Sequence, residues 1–307
     1  MGRPRGVWVL TLYDDWARSI AADDHVRELV EALPAGKRQP NLVFAAARMV
    51  GIPLAPYEQV RDWFVERWGA LATVALERAT QTNEAARCAV LLQALAKLDG
   101  PLALVEVGAS AGLCLYPDRY SYRYRSPGAT IALDPPDGPS SVVIDCAVDD
   151  PAQIPATLPQ VVWRAGIDLN PLDVTDPDDV AWLQTLIWPE HDDRRERLRA
   201  ACAIAALDPP HLVRGDLLND LDPLLDDRPA DAHLVVFHSA VLVYVDPSSR
   251  ERFIARMRSL DGTWVANEGA GVLPSSSGLP HDGRTVLSID DVPVARTHPH
   301  GRSITHL

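Results

Sequence analysis

The spacing of apolar residues divides the chain into a helical first third and a remainder in which strands alternate with helices. Leu12, Trp16 and Ile20 recur every four residues and lead into Val26, Leu29, Val30 and Leu33, which predicts one apolar helix face ending at Pro34-Ala35-Gly36. Further helices are expected from Asn41 to Val50, from Pro56 to Thr80 and from about Thr82 to Leu98, the last with Cys88, Leu91, Leu92 and Leu95 as its buried stripe. After the break at Asp99-Gly100-Pro101, strands are expected at Leu102–Val107, Gln160–Ile167, His211–Arg214, His233–Phe237 and Thr263–Asn267. Helices between them are expected at Pro177–Ile187, Glu190–Leu207 and Ser248–Leu260. Such alternation favours an α/β fold with a mainly parallel sheet. Thr285–Ile289 and Val292–Thr297 form a closing antiparallel pair, and the segment near 118–158, with alternating Tyr120, Tyr122 and Tyr124, reads as an insertion. The expected organisation is a helical region over 1–100, a cap or substrate-binding part, followed by an α/β domain over 101–307.

Composition narrows the function classes. The 29 basic and 42 acidic residues leave a net charge of −13, a field that repels nucleic acid and anionic membranes. Cys88, Cys114, Cys146 and Cys202 include no Cys-x-x-Cys pair, which argues against a zinc ribbon or disulfide scaffold and for a reduced, cytoplasmic setting. The N-terminus carries Arg3, Arg5 and a short apolar run that Asp14 and Asp15 interrupt, so no signal peptide is expected. No apolar segment approaches the roughly 20 residues of a membrane helix. His191 with Glu190 and two aspartates lacks a second histidine at ligand spacing, and no metal is expected.

The sharpest chemical signal is the stretch from Leu102 to Leu115, an apolar strand followed by Glu106, Gly108, Ala109, Ser110, Ala111 and Gly112 and then the expected start of a helix. Small residues let the backbone approach a ligand, and a helix N-terminus offers unpaired N–H groups. Glu106 at the strand end is placed to orient the loop or an amino-acid portion of the ligand. The same letters satisfy Gly-x-Ser-x-Gly, the nucleophile elbow of α/β-hydrolases, with Ser110 as nucleophile, Asp246 as acid and His298 or His300 as base.

In open α/β sheets ligands sit beyond the carboxyl ends of the strands. There the second strand offers Asp168, with Asp173 and Asp134 as alternatives, for ribose hydroxyls; a carboxylate accepts two hydrogen bonds from a vicinal diol. Asp216 follows the third strand and either meets an adenine amino group or caps the next helix. His238 and Tyr244 follow the fourth strand and Glu268 the fifth, as candidates for catalysis, with His238 as general base. Asn83, Glu84 and Arg87, at the start of the fourth helix, are candidates for substrate binding or for a surface cap and ion pair.

The turn resembles the first motif of class I methyltransferases, acidic-x-Gly-x-Gly-x-Gly, with Ser110 in place of the middle glycine. More broadly, RQPNLVFAA at 38–46, QTNEAARC at 81–88, RAGIDLNPLDV at 164–174, IWPE at 187–190, VVFHSAVLVYV at 235–245 and HPHG at 298–301 resemble a bacterial family of unknown function over nearly the whole chain. The resemblance implies a Rossmann-like sheet of about seven strands, S-adenosylmethionine as cofactor, and methyl transfer to an oxygen or nitrogen of a small or medium-sized acceptor. A serine hydrolase and a non-catalytic nucleoside-binding or regulatory protein remain the rival expectations. The oligomeric state stays open.

Overall fold

The computed structural model describes residues 7–307; Arg3 and Arg5 lie outside them. The chain divides into two compact units, one formed by residues up to Thr82 with Asp176–Glu196, the other by Asn83–Thr175 with Arg197–Leu307.

The first unit is helical: α1 (Val7–Ala22), α2 (Asp24–Glu31), α3 (Pro40–Met49), α4 (Tyr57–Glu66), α5 (Trp68–Glu77) and, later in the chain, α7 (Pro177–Leu186). The expected single face from Leu12 to Leu33 is divided at Asp23, whose extended backbone and carboxylate cap α2 through the N–H groups of His25 and Val26. The expected helix from Pro56 to Thr80 likewise breaks, at Arg67, which ends α4 and precedes α5. Asp23 also accepts from the Tyr57 hydroxyl at 3.0 Å and Arg61 Nε at 2.6 Å. The core of the unit is aromatic, with Trp16 packed edge-on to Phe44 and Phe64 at 5.5 and 5.2 Å.

The second unit is built on one sheet. In chain order its elements are α6 (Cys88–Leu95), β1 (Pro101–Val107), β2 (Ser121–Ser126), β3 (Ala129–Leu133), β4 (Val143–Val148), β5 (Gln160–Asp168), β6 (His211–Arg214), α9 (Leu221–Asp226), β7 (His233–Ser239), α10 (Pro247–Arg258), β8 (Thr263–Gly269), β9 (Thr285–Ile289), β10 (Val292–Thr297) and β11 (Ser303–His306). The boundary between the units falls within α8 (Asp192–Leu207). The strands run in the order β3-β2-β4-β11-β10-β9-β8-β7-β1-β5-β6. This is a mixed α/β architecture with eleven strands rather than about seven. The insertion supplies three of the additional strands, and β11, four residues long, joins them to the closing pair.

Five strands, β6-β5-β1-β7-β8, are mutually parallel. Numbered among themselves they stand third, second, first, fourth and fifth, so the direction of winding reverses between β1 and β7. On one face Val105, Val107, Leu234, Val236, Trp264 and Ala266 pack with Leu224, Phe253, Ile254 and Met257 from α9 and α10. On the other, α6 packs on β4 and β9. Tyr120, Tyr122 and Tyr124 are fully buried, their hydroxyls donating to the carbonyls of Leu113, Pro117 and Ala89.

Candidate functional site

The turn after β1 lies at the point where the winding reverses, the crevice in which open α/β sheets hold ligands. Gly108 and Gly112 have φ near +70° and Ser110 has φ 52°, a region that costs a serine strain and suits glycine. Two side chains clamp the turn. Asp168, at the end of β5, accepts the Ser110 N–H at 2.8 Å on one oxygen and the Asn170 N–H at 2.8 Å on the other. From the other side Asn83 donates to the Ala109 carbonyl at 3.2 Å and accepts the Leu113 N–H at 3.1 Å. The residues proposed for ribose and for substrate are therefore committed to holding the turn itself.

No α-helix follows the turn. A 3-10 turn at Leu113–Leu115 leads directly toward β2, which corrects the expected helix start and removes its N-terminus as a ligand-binding feature. The segment is instead pinned by Arg164 on β5, which donates to the Leu115 carbonyl and the Asp118 carboxylate, each at 2.7 Å. An arginine two residues before Gly166 in an otherwise apolar strand was the available signal for this role, since a buried arginine is rare unless paired.

Glu106 shares a face of β1 with Leu102 and Leu104. It is 7% exposed, and its Oε2 has no hydrogen-bond partner among the described residues. Burial pushes its carboxyl well above the usual value, the nearby Cys114 adds to this, and Arg87 opposes it. Ser110 Oγ is likewise buried and unpartnered, so no base is bonded to it. Asp246, the expected acid of a hydrolase triad, instead caps α10 through the Ser249 N–H and binds the Ser248 hydroxyl.

His238 is fully buried beneath α10, 5.6 Å from the Phe253 ring. Its Nε2 accepts the Trp264 indole N–H at 3.0 Å, and its Nδ1 lies 2.7 Å from Glu268 Oε1. Because an indole nitrogen only donates, this sets the proton on Nδ1. Glu268 Oε1 also accepts the N–H groups of Val241 and Leu242. The expected base His238 thus has both ring nitrogens engaged and, with Glu268 Oε1, shapes the loop after β7, while Glu268 Oε2 is buried without a hydrogen-bond partner among the described residues. Tyr244, on that loop, is 86% exposed.

This loop closes on the turn. A Cβ built on Gly108 would stand 2.5 Å from Val241 Cγ2, so the space beside Gly108 is filled by a side chain that pattern reading gave no reason to single out. Ala240, just before it, has φ 57°, and strain thus faces the crevice from both loops. Arg87 ties further loops together, donating to the carbonyls of Ser239 at 2.9 Å and Pro299 at 3.0 Å. Glu84 is buried and pairs with Arg197 at 3.1 Å, not with Arg87 on the surface.

The remaining candidates are engaged in local hydrogen bonds. Asp216 accepts the Leu218 N–H at 2.9 Å and the Asn219 side-chain amide, a turn-closing role. Asp173 holds Thr175 in the same manner, and Asp134 accepts from Ser121 and Arg123 beyond the far side of the sheet. Among the described residues no three His, Cys, Asp or Glu side chains are placed to hold a metal ion, and no helix is long and apolar enough to cross a membrane.

No curated protein and no solved structure matches the chain significantly. Residues 9–306 match the family described as "Uncharacterized protein conserved in bacteria", DUF2332, and the chain belongs to that family.

Proposed function

We propose that the protein is an S-adenosylmethionine-dependent methyltransferase with a Rossmann-like core, acting on an oxygen or nitrogen of a small or medium-sized acceptor. The observation that carries this is the order of the five parallel strands, with a glycine turn and an acidic strand end at their reversal, where such sheets take nucleoside ligands. Glu106 Oε2 and Ser110 Oγ add support, because buried polar atoms without protein partners are the atoms a ligand can satisfy. The fit is best at this amino-acid end and weaker for the ribose, since both oxygens of Asp168 already accept backbone N–H groups.

When bound, the cofactor supplies an electrophilic methyl group, and transfer is an in-line displacement in which alignment dominates. The chain contributes a turn held rigid by Asp168 and Asn83, with Tyr244 exposed on the neighbouring loop for the acceptor. With both ring nitrogens of His238 engaged, this proposal assigns it no role as general base. Four reduced, buried cysteines fit a cytoplasmic setting.

Isothermal titration with S-adenosylmethionine and S-adenosylhomocysteine tests the cofactor: one saturable site is expected, and no heat with either ends the proposal. The positive φ of Ser110 favours one rival, a hydrolase elbow. Absence of fluorophosphonate labelling at Ser110 is expected, and stoichiometric labelling would establish the hydrolase instead.

A further inference from the structure

Two ionisable side chains buried at the end of β1 lack the partners that burial calls for. Arg87 is 8% exposed, yet its guanidinium makes no ion pair among the described residues. Nε and Nη1 donate to the carbonyls of Pro299 and Ser239, and Nη2 donates to none of the described residues. Glu106 has the converse deficiency, a buried carboxyl whose Oε2 accepts no hydrogen bond among the described residues. Burying an ionisable group is costly unless it is paired, and two such groups in one place mark a site that a ligand completes.

Bonded neighbours fix where the two stand. Asn83 is hydrogen-bonded to the turn after β1 through Ala109 and Leu113, and Arg87, four residues on, to the end of β7 through Ser239. The segment 83–87 therefore runs along the end of β1, where Glu106 is the last residue but one. Glu106 is in register with Phe237 of β7, and Ser239 lies two residues further along the same face. With strands about 4.8 Å apart and a rise of about 3.3 Å per residue, Ser239 stands about 8 Å from Glu106 at Cα. The guanidinium bonded to the Ser239 carbonyl at 2.9 Å is thus within the span of a small ligand from the Glu106 carboxyl. Its charge opposes the rise in the Glu106 pKa, yet the two side chains form no ion pair.

The chemistry of the gap selects its occupant. A lone cation would meet Arg87 with like charge. A lone anion would satisfy Arg87 but bring the Glu106 carboxyl no donor, and it would enter the field of a chain with net charge −13. A group that carries both charges on one carbon serves the two side chains at once. We propose that Arg87 and Glu106 together recognise the α-amino-acid group of a ligand, Arg87 Nη2 donating to its carboxylate and the Glu106 carboxylate accepting from its ammonium. Such a site deepens the S-adenosylmethionine reading of the same crevice, and rests on that reading for the nucleoside portion alone.

Isothermal titration of the full chain tests it with ligands that share one nucleoside: S-adenosylhomocysteine, its deaminated and decarboxylated analogues, and 5′-methylthioadenosine. L-homocysteine serves as the probe without a nucleoside. S-adenosylhomocysteine is expected to bind at least about tenfold more tightly than either analogue lacking one charge, the loss expected for a hydrogen-bonded charged group. Glu106→Gln should weaken S-adenosylhomocysteine about tenfold and leave 5′-methylthioadenosine unchanged, and Arg87→Met should do the same. Retained 5′-methylthioadenosine binding shows that a variant keeps the folded crevice. If Arg87→Met, which also releases Ser239 and Pro299, loses that binding, the Glu106→Gln result decides. Equal binding of S-adenosylhomocysteine and its deaminated analogue, or an undiminished preference in Glu106→Gln, would overturn the amino-acid assignment and leave the nucleoside site in place. Binding of L-homocysteine with none of the nucleosides would uphold the assignment and end the methyltransferase reading. No binding of any probe would overturn both.

Discussion

Glu106 and His238 are both withdrawn from solvent, yet only one of them keeps an unmet hydrogen-bonding capacity at the turn. His238 has both ring nitrogens engaged, whereas Glu106 Oε2 has no partner. Strand parity explains the difference. His238 follows Leu234 and Val236 at intervals of two and so points under α10, while Glu106 follows Leu102 and Leu104 onto the opposite face. Selecting strand-end residues by position picked out both; applying the period of two to His238 would have separated them. Glu106 holds its proton to higher pH when folded than the ordinary value of 4.5. The unfolded chain therefore releases that proton first, and stability contributed by the protonated form, fully present below 4.5, is lost as pH rises toward the raised folded value. Glu106→Gln carries no such penalty. Its Tm should exceed that of the native chain at pH 7, by the equivalent of about 1 kcal/mol, with the gap closing near pH 4; a gap independent of pH would refute this. His238→Ala leaves the Trp264 N–H and part of the Glu268 carboxylate without partners, and should cost about 3 kcal/mol in urea unfolding. A loss below about 1 kcal/mol would contradict the structural role.

At the scale of elements, the central strands were legible because apolar runs bounded by Pro, Gly and Asp leave few alternatives; β5, β6, β7 and β8 begin where the pattern places them and β1 one residue earlier, at Pro101. Helix continuity was less legible. Asp23 and Arg67 sit within periodic runs, and a cap overrides periodicity only through local hydrogen bonds that spacing does not reveal. The missing helix after Gly112 has a tertiary cause, since Arg164 and Tyr120 hold the carbonyls of Leu115 and Leu113. The turn's dependence on its clamps can be measured. Asp168→Ala removes two charge-assisted bonds to backbone N–H groups and should destabilise the chain by about 2 kcal/mol. Gly166→Ala would bring a Cβ to 2.6 Å from Ala109 Cβ and 3.2 Å from the Glu106 carbonyl oxygen, and overpacking of this kind costs about 1–3 kcal/mol. Gly36→Ala, with nothing within 4 Å, serves as the control and should be nearly neutral. Equal effects of the two glycine substitutions in urea unfolding would show that the turn does not rest closely on β5.

Over the whole molecule, alternation of strands and helices was sufficient for the α/β class and insufficient for the extent of the sheet. The added strands β2, β3 and β4 are five or six residues long and separated by Pro/Gly segments, β3 being largely exposed and β4 alternating exposed and buried positions, and β11 spans only Ser303–His306, so each is a weak signal alone and is stabilised by pairing. The reversal of winding between β1 and β7 brings the turn, Glu106, Asp168 and the loop carrying Val241 and Tyr244 to the carboxyl ends of the parallel strands. That this end of the sheet is a nucleoside site is the central claim. Amide hydrogen exchange with and without saturating S-adenosylhomocysteine tests it most directly. Protection is expected over 106–112, 168–172 and 239–245, with β2, β3 and β4 unchanged; exchange unaltered in those three segments, or protection confined to other regions, would contradict it.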